Sequence, residues 1–484
     1  MNCFRSIFTS SFLTELVSLT SQPLYLVGGS VRDLLIGVQD VKDIDLLMPS
    51  GSENVARAFA DRIGGSFIVL DEERKITRVV KREAKGTVQF DFTNFEGPDL
   101  STDLARRDFT INAMAVDLRG FLETRALGGL IDLFGGRDDI RQKLVRVTDP
   151  KVLDDDPLRL LRAVRFAATL GFSIEQATSR YIRERAELIA RPSAERVRDE
   201  LFQILSVAGA GRHLLLMESL GLLRMLLPEL GPLKDFAPGK HHLYDIFTHS
   251  IKTAEYVDSV VETIPSLSPE HAGLVLSQLD QELEQFVTRK AALRLACLLH
   301  DNAKSETYSR DGEGDIHFFG HDAIGADKAL IICQRFRLSS DTASMVSRLI
   351  RHHMRPLNLS APRGPSKRAL YRYCRDLKDA VPESIVLSLA DAKATSEVMP
   401  AEGFTDTQEI AGQILDYYYG KFLKTEAKPF VTGKDLIARG MKSGPKFREI
   451  LDDIKERQAE GTLKDRQEAL EYLDSTTTHK ENNL

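Results

Sequence analysis

The run Val27-Gly-Gly-Ser-Val-Arg-Asp33 is followed by Asp43-Ile-Asp45 at the start of an apolar stretch. Glycines at 28 and 29 let backbone N–H groups approach a phosphate closely, and Arg32 with a helix start beyond them would complete an anion site. Residues two apart on a strand project from the same face, so Asp43 and Asp45 would lie side by side. Adjacent carboxylates repel, and paired divalent cations roughly 3.5–4 Å apart relieve that repulsion while holding the attacking and leaving oxygens of a phosphoryl transfer. Either piece alone reads as an ordinary turn or a half-buried strand. Together they point to metal-dependent chemistry on a nucleoside triphosphate.

The elements that would position these residues are short. Pro23-Leu-Tyr-Leu-Val27 and Ile44-Asp-Leu-Leu47 read as strands, as do Phe67–Leu70, Thr77–Val80 and Val88–Phe92, with helical pieces between them. Asp91, inside the last of these, is a candidate third acid or base. The charged segment from Asp71 to Gly86 is expected to be a mobile element. From about Val152 strand signals vanish, and Leu158, Leu161, Val164 and Arg165 begin a series of amphipathic helices. A Gly- and Pro-rich joint near residue 236 precedes a histidine-rich helical region. The expected class is therefore α+β. A small mixed-sheet head (1–140) is followed by an all-α neck and body (141–235), a helical histidine-rich domain (236–400) and a helical tail (401–484).

Composition sets outer limits. A chain of 484 residues is too long for one core, and its hydrophobic fraction of 42% and charged fraction of 28% suit a water-soluble protein. No apolar run approaches the ~18 residues needed to span a bilayer and no cleavable leader is legible, so the expected compartment is the cytoplasm. Cys3, Cys297, Cys333 and Cys374 lack the spacing of a zinc ribbon or a disulfide framework. The net charge of −6 hides local basic density at Arg159, Arg162, Arg165, Arg180, Arg183 and Arg185, and again from Lys421 to Arg466.

Two further runs decide the reading, Arg106-Arg-Asp-Phe-Thr-Ile-Asn-Ala113 and Asp154-Asp-Asp-Pro-Leu-Arg-Leu-Leu-Arg-Ala-Val-Arg-Phe166. With the glycine loop and the aspartate pair, they give the chain a first half that resembles the bacterial class II tRNA nucleotidyltransferase and poly(A) polymerase family. The resemblance implies that Gly28, Gly29 and Arg32 contact the incoming triphosphate and that Asp43 and Asp45 hold magnesium. It also implies that Arg107 and Asp108 lie near sugar and phosphates, with Asn112 holding that element. Asp156 and Arg159 are three apart at an expected helix start, where both can point the same way. A carboxylate accepting from an exocyclic amine and a guanidinium donating to a ring nitrogen would choose cytosine or adenine over uracil and guanine. Arg162 is similar to the family's second nucleotide-contacting arginine.

His249, His300-Asp301 and Asp391 stand in the order of an HD-type phosphohydrolase domain, which implies that those side chains bind a divalent ion, either magnesium or a transition metal. His321, with His352 or His353, is a candidate second metal position. Asn302-Ala-Lys-Ser departs from the more usual continuation of that motif. The tail run Thr432–Lys446 resembles the RNA-holding segment of HD-containing family members, with Lys442 and Lys446 flanking a Gly-Pro helix start. The expectation is thus a tRNA nucleotidyltransferase that adds CCA, or only the terminal A, from CTP and ATP, with tRNA as partner and no membrane. The HD-like domain would trim phosphate ends. A poly(A) polymerase is the nearest alternative, and a non-catalytic RNA- or nucleotide-binding module a remote one.

Overall fold

The structure is a computed structural model. It describes residues 11–38, 43–83, 86–124, 129–236, 244–359, 364–396 and 402–478. The chain forms two compact units, Met1–Pro192 with Ser219–Met225, and Ser193–Glu218 with Leu226–Leu484.

The first unit is built on a sheet of seven strands in the order β3-β4-β5-β2-β1-β6-β7, with β1 at Tyr25–Val27, β2 at Asp43–Met48, β3 at Ser66–Asp71, β4 at Ile76–Glu83, β5 at Gly86–Asn94, β6 at Met114–Asp117 and β7 at Leu130–Asp132. Only β2 and β5 pair in parallel; the other pairs are antiparallel, so the sheet is mixed as expected. Alternation along β2 sends Ile44, Leu46 and Met48 into a core with Phe59, Phe90 and Phe92, and leaves Asp43 and Asp45 on the opposite face. The segment from 71 to 86, the expected mobile element, is largely strand. Its charged end, Glu72–Lys75, is a tight turn. Ile76–Glu83 is a strand hydrogen-bonded on both sides, with Val79 buried, while residues 84 and 85 lie outside the described set.

In the second unit the helix Arg289–Leu299 is buried at every residue but Lys290 and packs against Ile246–Val261, Ser340–His352 and Val381–Ser396. A separate small core of Val431, Leu436, Ile454, Ala469 and Leu473 organises the tail helices Pro445–Glu460 and Arg466–Thr478. Glu456 fixes the first of these by accepting from Arg368, Arg372 and Arg375. No helix among the described residues is long and apolar enough to cross a membrane. Cys297, Cys333 and Cys374 are buried free thiols, and Cys3 lies outside the described residues.

Candidate active site and candidate metal centre

Strand β1 runs directly into the helix Gly28–Ile36, so Gly28 and Gly29 are its first residues. Gly28 has φ +65°, and a Cβ there would come within 2.9 Å of Asp45 Oδ2 and 3.1 Å of Arg107 Nη1. A side chain there would displace the Asp45 carboxylate or the Arg107 guanidinium, and the left-handed backbone favours glycine. Buried Ser30 locks the loop to β2: its Oγ donates to the Asp43 carbonyl at 3.0 Å and accepts from the Asp45 N–H at 2.8 Å. Burial pushes the Asp45 carboxyl up to about 6, the Arg107 guanidinium opposing the rise and nearby Asp91 and Asp43 adding to it. A carboxylate crowded by others beside an open backbone loop fits a divalent cation, whose charge would offset that repulsion.

Asp91 stands opposite Asp45 in the parallel register of β2 and β5. Both its oxygens are taken by one guanidinium, Arg78 Nε and Nη2 each at 2.7 Å.

The second motif joins this group through a chain of hydrogen bonds. Arg32 Nη1 donates to Asn112 Oδ1 at 2.8 Å, Asn112 Nδ2 donates to Asp108 Oδ1 at 3.0 Å, and Arg162 donates to Asp108 Oδ2. Burial opposes the charge on Asp108, but Arg162 and Asn112 hold its carboxyl below the usual range. Arg107 is steadied by Asp103 at 3.2 Å. The guanidiniums of Arg32, Arg162 and Arg165 also lie 5.1, 5.3 and 4.3 Å from the ring centre of Phe166. Neither Phe166 nor Asp103 was a sequence candidate; an aromatic closing a helix turn of arginines is the signal that could have marked the former.

The third motif differs in detail from expectation. Asp156 is not on a helix with Arg159: it has an extended backbone between the helices Val152–Asp155 and Arg159–Leu170. Its Oδ1 accepts from Leu158 N at 3.2 Å, and Arg159 Nη1 donates to the Val152 carbonyl at 3.0 Å. Pro157 keeps the residue before it extended, and the turn that leads into the helix then closes with Arg159 N donating to the Asp156 carbonyl at 3.0 Å.

In the second unit, His249 comes from the first turn of Ile246–Val261, His300 and Asp301 from the end of Arg289–Leu299, and Asp391 from Val381–Ser396. His249 Nε2 is 2.9 Å from Asp391 Oδ1, and His300 Nε2 is 3.2 Å from Asp301 Oδ2. The other Asp301 oxygen faces His321 Nε2 at 3.6 Å and His353 Nε2 at 3.8 Å. One carboxylate thus lies between two groups of ligand atoms, His249 with His300 and His321 with His353. His353 takes the position left open between it and His352, which belongs to neither group.

The backbone carbonyls behind these rings suit metal binding. The Nδ1 atoms of His300, His321 and His353 are 2.7, 2.8 and 2.7 Å from the carbonyls of Cys297, Phe318 and Ile350. Donation there leaves the Nε2 of each ring, when neutral, as a lone pair aimed inward. His300 Nε2 and both Asp301 oxygens are buried without a well-directed hydrogen bond, the arrangement a cation would satisfy. Burial resists charge on His300, but Asp301 and Asp391 overcome it and raise the ring to about 9. Burial and His300 instead depress His353 to about 4. Lys304, which the sequence reading passed over, pairs with Asp301 Oδ2 at 2.7 Å.

Lys442 and Lys446 are exposed on either side of Gly444 and Pro445, beside a groove lined by Arg448, Glu449 and Asp452.

Residues 24–146 match the poly A polymerase head domain, residues 171–233 a probable RNA- and SrmB-binding site of polymerase A, and residues 246–395 the HD domain. The chain is 32% identical to the A-adding tRNA nucleotidyltransferase of Deinococcus radiodurans over 93% of its own length and 94% of that protein's. It is also 32% identical to the CC-adding tRNA nucleotidyltransferase of Thermus thermophilus, over 94% of each. Its fold is similar to that of the Thermotoga maritima CCA-adding enzyme complexed with tRNA, with a TM-score of 0.58 at 21% identity over 96% of this chain and 94% of that one.

Proposed function

The chain belongs to the tRNA nucleotidyltransferase family, and from that premise we propose that it adds CCA, or only the terminal A, to tRNA 3′ ends using CTP and ATP. What carries the reading is the approach of Asp45 and Arg107 to the Gly28 backbone, continued through Arg32, Asn112 and Asp108 to Arg162. Gly28, Gly29 and Arg32 bind the triphosphate, and Arg107 holds charge beside it. Asp156 and Arg159 select the base from its hydrogen-bonding edge. Asp43 and Asp45 would hold magnesium, which would supply acidification of the 3′-hydroxyl and charge compensation for pyrophosphate. The attack is in line, with no covalent enzyme intermediate.

The two groups around Asp301 support a second activity, hydrolysis of phosphomonoester or cyclic phosphate ends on RNA. His249, His300, Asp301 and Asp391 would hold one divalent ion, magnesium or a transition metal, and His321 and His353 another with the shared Asp301. The division into head (1–140), neck (141–235), HD domain (236–400) and RNA-holding tail (401–484) follows from these roles. With tRNA and free nucleotides as substrates, the working compartment is the cytoplasm.

Incorporation assays test the first activity. Purified chain is offered tRNAs ending before CCA, after C and after CC, with each nucleotide separately. Addition at all three ends supports complete CCA synthesis, and addition at the CC end alone supports an A-adding specialist. Addition of only two cytidines, or long A tracts on unrelated RNA, would displace the reading.

A further inference from the structure

Next to the Asp301 centre stands a short antiparallel hairpin, Ser309–Arg310 against Ile316–His317, followed at once by Phe318 and Phe319. Phe319 is 77% exposed, and its ring stacks on that of His317 at 4.9 Å and 14°. Tyr308, which is 37% exposed, packs edge-on against Phe236 at 5.5 Å. Phe318 fills the space behind, 6.1 Å from the Tyr308 ring.

These aromatics are joined to the metal ligands. The Phe318 carbonyl is the partner of His321 Nδ1, and Lys304 Nζ lies 5.5 Å from the Phe318 ring while paired with Asp301. Phe236 reaches the other side of the centre, its carbonyl accepting from Ile246 N at the start of the helix that carries His249. Phe319 and His321 are two residues apart, so their Cα atoms lie within about 7 Å. A flat, exposed aromatic surface therefore stands beside a centre suited to a phosphate. Internal packing does not explain it, because an exposed phenylalanine stacked on a histidine contributes little to a core.

We infer that His317 and Phe319 form a stacking platform for the nucleobase next to the phosphate that the Asp301 centre hydrolyses. The ligand is a nucleotide carrying a 3′ or 2′,3′-cyclic phosphate, with the base on the rings and the phosphate toward Lys304 and the metal ligands. Stacking engages the π-face that every base shares, so the platform accepts any base, unlike the Asp156 and Arg159 pair. The inference rests on the hydrolase reading of that centre.

The test uses the full-length chain with manganese and three phosphomonoesters: 3′-UMP, a short oligoribonucleotide ending in a uridine 3′-phosphate, and glycerol 2-phosphate, which has no base. Uridine avoids the base-selecting pair of the nucleotidyltransferase site. Removing the ring removes the stacking surface, so Phe319→Ala should raise KM for both uridine substrates by about tenfold and leave glycerol 2-phosphate unchanged. Phe319→Trp should restore the lower KM. Unchanged KM for the uridine substrates, or an equal loss on all three, overturns the platform and leaves the hydrolase reading standing. A response of 3′-UMP alone assigns the platform to free nucleotides, and a response of both assigns it to RNA ends. Should the wild type hydrolyse none of them, the hydrolase reading falls, and calorimetric binding of 3′-UMP with manganese decides the platform. About tenfold weaker binding by Phe319→Ala sustains it, and equal affinity removes it.

Discussion

Arg162 donates twice to one oxygen of Asp108, from Nε at 2.9 Å and from Nη2 at 2.7 Å. The pair ties the helix Arg159–Leu170 to the loop that carries Arg107, so residues proposed to read the base and residues proposed to hold the phosphates share one anchor. Asp108 also accepts from Asn112 and from its neighbour's backbone, Phe109 N at 2.8 Å. Asp108→Ala would strip partners from three donors, and breaking a buried pair from one side costs about 3 kcal/mol. The loss should appear as a lower denaturation midpoint.

The same carboxyl gives a pH dependence. Its folded value lies below the ordinary range. Its contribution to stability is therefore fully present above the unfolded value, about 3.9, and lost as pH falls through the folded one. Wild type should lose stability in acid more steeply than Asp108→Asn, and parallel unfolding curves for the two at falling pH would show that Asp108 contributes nothing.

Much of this was legible in the chain. The alternation of Ile44, Leu46 and Met48 placed Asp43 and Asp45 together on one strand face, because side-chain direction in a strand follows from position alone. Two things were not legible. The extended Asp156 backbone follows from the restriction that Pro157 places on the residue before it, and the choice between His352 and His353 depends on where the helix Ser340–His352 ends. Neighbouring residues at a helix end point in different directions, and spacing does not fix which one faces inward. Pairings between distant positions, such as Arg78 with Asp91 or Phe166 beneath three arginines, arise only when separate elements meet.

Arg78 bears on the acidic face. Its guanidinium already neutralises Asp91, whereas among the described residues no guanidinium clasps both oxygens of Asp43 or Asp45. Asp43→Ala and Asp45→Ala should each lower nucleotide incorporation by about a thousandfold, since loss of a metal site removes several kcal/mol of transition-state stabilisation. Asp91→Asn should lower it by only about tenfold. Single-turnover rates on tRNA ending in CC measure all three, and an Asp91→Asn rate as low as that of Asp43→Ala would make Asp91 a full partner in metal binding.

At the second centre Asp301 faces both groups of histidines. Manganese or nickel at a hundred times its Kd should stabilise the chain by about 2.7 kcal/mol. Asp301→Ala should abolish that shift in melting temperature, and His353→Ala should weaken it. His352→Ala should retain it in full, because His352 belongs to neither group. A shift lost in His352→Ala and kept in His353→Ala would exchange the two assignments.

The tail offers a separate electrostatic test. Lys442 and Lys446 are exposed on either side of Gly444 and Pro445, while Glu449 and Asp452 stand farther along the same groove. Their opposite charge keeps the groove from attracting RNA as a whole, so contact with a phosphate falls to its cations, Lys442 and Lys446 at its start and Arg448 in its wall. Each phosphate a lysine neutralises releases bound counterions, and removing that lysine lowers the slope of log affinity against log salt by about 1. The double variant Lys442→Ala and Lys446→Ala should therefore bind tRNA more weakly at low salt and with a slope shallower by about 2. Filter binding across a salt series gives the slope directly, and Glu449→Gln should strengthen low-salt binding by relieving repulsion of the same phosphates. A double variant with the wild-type slope would mean that the tail holds no RNA at this helix start.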